Sequence, residues 1–200
     1  AIVGDVAAEE WGQASRKADF YDLKGDLETV LSLVDPSGSF TFEVAEQPVL
    51  HPGQTARVLR DGEAIGWLGM LHPALQAKLD LPATYLFEVE LDRLEDGRIP
   101  AFAPISKFPA IRRDLALVVN RDVAAADVLA CARKAAPAVV KEVSLFDVYT
   151  GENVEAEVKS LALSLILQES SHTLTESEVE EASSVVLMAL AERLSAKLRD

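Results

Sequence analysis

Cysteine is almost missing from this 200-residue chain, which carries Cys131 and no second thiol. An internal disulfide is therefore excluded, and no Cys/His spacing suggests zinc. Cys131 lies in an Ala-rich stretch, residues 124–136, with no His or Asn framework beside it, which is the setting of a buried, unreactive thiol. A reducing cytoplasm is the expected compartment. The three histidines, His51, His72 and His172, are far apart and show no metal-ligand spacing. His51 and His72 each precede proline and are expected to bond backbone at turns. No apolar run approaches the roughly 18–20 residues of a membrane helix, and no charged-then-apolar leader opens the chain. Positive charge is scarce: 19 Lys and Arg face 33 Asp and Glu, a net charge of −14. That balance argues against a generic nucleic-acid binder, whose affinity rests on neutralising phosphates.

What is present describes a folded, soluble chain. Hydrophobic residues make up 49% and charged residues 26%, enough for one good core or two modest ones. The chain opens at Ala1 without Met and is read as an excised fragment. Its charge is uneven: residues 1–105 carry 8 Lys/Arg against 18 Asp/Glu, and residues 106–200 carry 11 against 15. Between residues 107 and 121, Lys107, Arg112, Arg113 and Arg121 stand against Asp114. Any nucleic-acid contact is therefore expected to be local and in the second half.

Residues 19–34 read as a helix with Leu23, Leu27, Val30, Leu31 and Val34 on one stripe. Asp35-Pro36-Ser37-Gly38 stops it. Residues 40–44 read as a short strand. Residues 56–60 and 64–71 flank Asp61-Gly62, a two-residue hairpin signal of type I′. His72-Pro73 ends the hairpin, a short helix is expected over 74–79, and residues 85–91 alternate as a half-exposed strand. A sheet of this kind leaves an unpaired edge unless other chain covers it, as in a domain cut in half. Residues 93–105, with Gly97, Pro100 and Pro104, read as a linker.

The second half reads as a strand at 114–120 with Leu115, Leu117 and Val119 on one face. A helix capped by Asp122 follows, bearing Val128, Leu129, Ala132 and Ala136 and closed by Pro137. Strands follow at 139–149 and 160–168, the latter pointing Leu161, Leu163, Leu165 and Leu167 inward, with a turn over 150–157 between them. Thr175-Glu176-Ser177-Glu178 is a capping box opening a last helix with Val179, Ala182, Val186, Ala189 and Leu190 on one side. Residues 197–199 make a final short strand. The order is βαββαβ, the ferredoxin-like arrangement, whose two helices cover one sheet face and leave the other open.

Several strings, in order, resemble bacterial phenylalanyl-tRNA synthetase β subunits. They are Ser106-Lys107-Phe108-Pro109-Ala110-Ile111-Arg112-Arg113-Asp114-Leu115-Ala116, Leu145-Phe146-Asp147-Val148-Tyr149, Lys159-Ser160-Leu161-Ala162, Thr173-Leu174-Thr175 with Glu178, and Leu198-Arg199. Upstream, Asp19-Phe20-Tyr21-Asp22-Leu23-Lys24-Gly25, His51-Pro52-Gly53 and Ile65-Gly66-Trp67-Leu68-Gly69 look like the module preceding the anticodon-binding domain of that family. The resemblance implies an α+β chain. It implies that residues 1–104 are part of an incomplete antiparallel class II synthetase-like sheet module, with its linker, that lacks catalytic motifs. It implies that residues 105–200 are a ferredoxin-fold anticodon-binding domain. It implies a non-catalytic piece of a ligase whose active site lies on the α subunit, with no cofactor in the fragment and ATP and Mg²⁺ used by the parent. It implies as partners tRNA(Phe), the α subunit and the rest of the β subunit, in an α2β2 assembly, with no membrane.

Asp147 and Tyr149, two apart on a strand, share a face. Such a pair suits a splayed base, the ring stacking while the carboxylate accepts from the Watson–Crick edge, and the family implies guanine as the first anticodon base. Arg199, matched to the family's C-terminal arginine, is placed beside them, and Arg112 and Arg113 are phosphate candidates. Val143 and Leu145 share a face with Asp147 in an unbroken strand, so either a bulge or a partly apolar open face is implied. Arg112 and Arg113, being consecutive, point to opposite faces, and one of them is expected to pair with Asp114 or a domain interface. The plainer readings are a strand-end Tyr149 and an Asp147 paired with a nearby arginine. His172 stands where the resemblance leads to an expectation of Arg, which weakens a phosphate contact there. Trp11 and Trp67 are expected in the core or at an interface, and the glutamates of 176–181 on a solvated face. A hydrolase of acylphosphatase type or a ligand-sensing module on the same fold needs a glycine-bearing turn, and Asn120-Arg121-Asp122-Val123 has none. The remaining alternative is a protein-interaction module without RNA contact.

Overall fold

The computed structural model describes residues 1–35, 40–94, 102, 104–151, 155 and 157–199. Pro36, Ser37 and Gly38 of the expected helix stop, most of the expected linker, and Glu152, Asn153, Val154 and Ala156 of the expected turn lie outside them. The chain divides into two compact units, Ala1–Phe102 and Ala103–Asp200.

The first unit is built on an antiparallel sheet of β1 (Ile2–Val3), β2 (Phe40–Val44), β3 (Leu50–Arg60), β4 (Glu63–Leu71) and β5 (Thr84–Val89), ordered β1-β5-β4-β3-β2. Helix α1 (Phe20–Val34) packs against β4 and β5. It starts at a reciprocal cap: the Asp19 carboxylate accepts from the amides of Tyr21 and Asp22, and Asp22 accepts from the Asp19 amide at 2.9 Å. Leu23, Leu27 and Leu31 bury against Val58, Ile65, Leu68 and Tyr85, whereas Val30, expected on that stripe, is exposed. Asp61 and Gly62 both take positive φ, 51° and 85°, as a type I′ hairpin requires. Strand β3 begins six residues earlier than expected, because register shifts between Leu50 and Thr55 absorb Pro52 and Gly53 without ending the strand. Strand β5 ends at Val89, where a 3-10 turn over Leu91–Arg93 takes over. Helix α2 (Pro73–Leu79) is capped by His72, whose Nδ1 accepts from the Ala74 amide at 3.1 Å; His51 Nδ1 likewise accepts from Gly53 at 2.9 Å. Trp11 is wholly exposed, on the surface of its unit and not in the core, and Trp67 is half-buried with the Arg57 guanidinium 5.2 Å from its ring.

The second unit runs β6 (Ile111–Asn120), α3 (Ala125–Ala135), β7 (Val140–Tyr149), β8 (Val158–Leu167), α4 (Glu176–Leu194) and β9 (Lys197–Leu198). Its antiparallel sheet is ordered β7-β8-β6-β9, the ferredoxin-like topology. Leu161, Leu163, Leu165 and Leu167 are fully buried beneath α3 and α4, with Leu115, Leu117, Val119, Val128, Ala132, Val179, Val186 and Leu190. Cys131 is buried in the same core. Asp122 does not cap α3. Its amide donates to the Asn120 side chain at 2.9 Å in a tight turn, and the cap position falls two residues later, at Ala124, with no side-chain cap.

Candidate nucleic-acid interface

The helices leave one face of the second sheet open, and side-chain direction on that face is decided by parity along each strand. In β6, Leu115, Leu117 and Val119 point to the helices, so Arg112, Asp114, Ala116 and Val118 line the open face. In β8 the open positions are Ser160, Ala162, Ser164 and Ile166, paired with Val118, Ala116, Asp114 and Arg112.

Strand β7 would defeat this arrangement if it were regular. Val143 pairs with Leu165 and Leu145 with Leu163, both toward the core. Two-residue alternation would then turn Asp147 and Tyr149 inward as well. Instead the register shifts between Leu145 and Asp147: Asp147 pairs with Ala162 and Tyr149 with Ser160, and Phe146 is the extra residue of a β-bulge. One inserted residue reverses the parity of everything after it. The two alternatives open at the sequence level are thereby resolved in favour of the bulge, and Asp147 and Tyr149 emerge on the open face.

Arg199 reaches the same place from the far edge. Its amide donates to the Ala116 carbonyl at 2.8 Å, extending the β6–β9 ladder. Asp147, Ala162, Ala116 and Arg199 thus form one row across the sheet. From β9 to β7 is three strand spacings, about 14 Å. The long side chains close that gap over the two alanines, and the Arg199 guanidinium lies 5.3 Å from the Tyr149 ring centre, within cation–π range. Beneath the ring is Gly151: a Cβ there would lie 2.5 Å from the tyrosine oxygen and 2.6 Å from Cζ. The ring therefore rests on bare backbone.

Arg112 joins the other end of the face. It bonds Asp114, two residues on, at 2.8 Å, and its guanidinium is 5.1 Å from the Phe146 ring. The hydrogen bond from Arg112 holds the Asp114 carboxyl below its ordinary range, and the same bond raises Arg112. Arg113 goes the other way: it pairs with Leu165 on the core side and lies 3.5 Å from Glu176 at the start of α4. The open face thus brings together Asp147, Tyr149, Arg199 and Arg112 and leaves Arg113 outside. Phe146 and Gly151 belong to this constellation and were not picked out from sequence. The signal for Phe146 was the inconsistent alternation of Val143-Ser144-Leu145-Phe146-Asp147 itself. For Gly151 there was none. Among the described residues no group of three or more His, Cys, Asp or Glu is placed to hold a metal ion, and no helix is long and apolar enough to cross a membrane.

A flat, open sheet face with rings, arginines, a carboxylate and small residues between them has the make-up of a platform for unstacked bases. Residues 106–199 match the family model described as ferredoxin-fold anticodon binding domain, and residues 1–91 match the phenylalanyl tRNA synthetase beta chain CLM domain. All of the chain aligns with the phenylalanine–tRNA ligase beta subunits of Nitrosococcus oceani at 47% identity, Dickeya dadantii at 46% and Methylococcus capsulatus at 43%. The chain belongs to the phenylalanine–tRNA ligase beta subunit family, and it spans a quarter of the length of these curated relatives.

Proposed function

We propose that the second unit reads the first anticodon base of tRNA(Phe), as a non-catalytic part of a phenylalanine–tRNA ligase. The observation that carries this reading is the bulge at Phe146, which turns Asp147 and Tyr149 to the open face beside Arg199. A guanine stacks on the Tyr149 ring while its N1–H and exocyclic amine donate to the Asp147 carboxylate. The entering base displaces the Arg199 guanidinium, which then pairs with a phosphate, so the cation serves both states. Stacking contributes about 1–3 kcal/mol per base and needs no positive field, which reconciles RNA binding with a net charge of −14. Arg112 supplies a second phosphate contact.

The ligase joins phenylalanine to its tRNA with ATP and Mg²⁺ on the α subunit, in an α2β2 assembly in the cytoplasm. This chain supplies recognition and architecture to it. Titration with an anticodon stem-loop bearing GAA tests the site residues. Tyr149→Ala is expected to weaken binding by about 1–3 kcal/mol. Asp147→Asn is expected to abolish preference for guanine at the first position while leaving weak binding. Unchanged binding and preference in both variants would assign the domain to protein contact alone.

A further inference from the structure

The bulge that turns Asp147 outward leaves Phe146 outward too, and guanine recognition at Tyr149 makes no use of it. Phe146 is 53% exposed, an apolar ring on a face whose floor includes the small side chains of Ala116, Ala162, Ser160 and Ser164. Arg112 lies over it at 5.1 Å, and Asp114 anchors that guanidinium at 2.8 Å. The arrangement repeats the one at Tyr149: a ring from β7, an arginine from across the sheet and small side chains between. The two rings lie three residues apart on β7, with Asp147 between them.

We propose that Phe146 with Arg112 forms a second base-stacking position, taking the nucleotide that flanks the base held at Tyr149. The inference rests on the reading of Tyr149 and Asp147 as the first-base site and deepens it. Phe146 carries no polar atom, so this ring grips a π-face without reading its edge, and the Arg112 Nε–H that Asp114 accepts leaves the other guanidinium donors for a phosphate. It contributes affinity and holds the anticodon splayed, while discrimination stays with Asp147. Two rings on one strand also orient the RNA along β7, which a single stacking residue does not do.

The test uses the full 200-residue chain and GAA stem-loops carrying 2-aminopurine at one or the other position flanking the first anticodon base. Binding is expected to quench the probe at one flank. Phe146→Ala and Phe146→Leu are expected to lose that quench and bind about tenfold more weakly, with the ratio between guanine and other first bases unchanged. Phe146→Tyr is expected to restore both. Leucine preserves apolar bulk without a π-face, so a merely structural role predicts normal binding in Phe146→Leu, and that result would overturn the inference. So would quenching at neither flank in the unaltered chain. Absence of first-base preference in the unaltered chain sinks the underlying reading and this inference with it, whereas preference retained without Phe146-dependent quenching sinks this inference alone.

Discussion

Tyr149 is held from two sides, by the Arg199 guanidinium at 5.3 Å and by the bare backbone of Gly151. The glycine is thus a positioning residue for the ring. In Gly151→Val the branched side chain collides with the tyrosine Cζ and oxygen, so the ring must swing away. Binding of the GAA stem-loop is expected to fall to the level of Tyr149→Ala, with the melting midpoint little changed because both residues lie on the surface. Calorimetric titration beside a thermal melt checks both halves of that expectation. The identities of Asp147 and Tyr149 were legible in the Leu145-Phe146-Asp147-Val148-Tyr149 string, but their direction was not. Direction depends on counting residues from a fixed register, and this bulge carries no glycine to announce it. For Arg112 and Arg113 direction follows from parity with Leu115, Leu117 and Val119, and what the structure adds is the partner of each, Asp114 and Glu176.

Strand β8 and helix α4 were readable almost to the residue, for physical reasons that α3 and β3 lacked. Leucine at every second position of β8 has one low-energy solution, a buried face, and all four are fully buried. Thr175 and Glu178 satisfy each other's backbone amides at the start of α4, a local arrangement that needs no tertiary context. At α3 a tight turn, in which the Asn120 side chain accepts from the Asp122 amide, carries Asp122 outside the helix and moves the cap position to Ala124, a shift that spacing alone does not show. The α4 cap also gives a pH signature. Hydrogen bonds from the Thr175 backbone and hydroxyl, and then from His172, hold the Glu178 carboxyl at about 2, against an ordinary 4.5. A depressed carboxyl stabilises the fold above its ordinary value and loses that contribution as pH falls toward about 2. Melting of the unaltered chain should therefore drop more steeply below pH about 4.5 than melting of Glu178→Gln, which keeps the capping bond but does not titrate. Parallel curves for the two chains would contradict this role for the cap.

The two units keep separate cores, and each contributes differently to the chain's net −14. The acidic excess is concentrated before residue 106, away in sequence from the open sheet face. That face carries three cations, Arg112, Lys197 and Arg199, opposite Ile166, Val118 and Ala116 in the ladder. If all three meet phosphates, log affinity should change with log salt by a slope no steeper than about −2. A steeper slope would mean that the acidic chain binds RNA through some other basic surface. Legibility was highest where several strings lay in order along the chain, because an ordered set of matches constrains the fold more than any single motif. At Trp11, expected in the core or at an interface, full exposure removes the first of those two readings. The most direct measurement on the central claim is a titration of the unaltered chain, at roughly 50 and 200 mM salt, with stem-loops that differ only in the first anticodon base. Tighter binding of the guanine loop at both salt concentrations is the predicted result, and equal binding of all loops would contradict base readout by Asp147 and Tyr149.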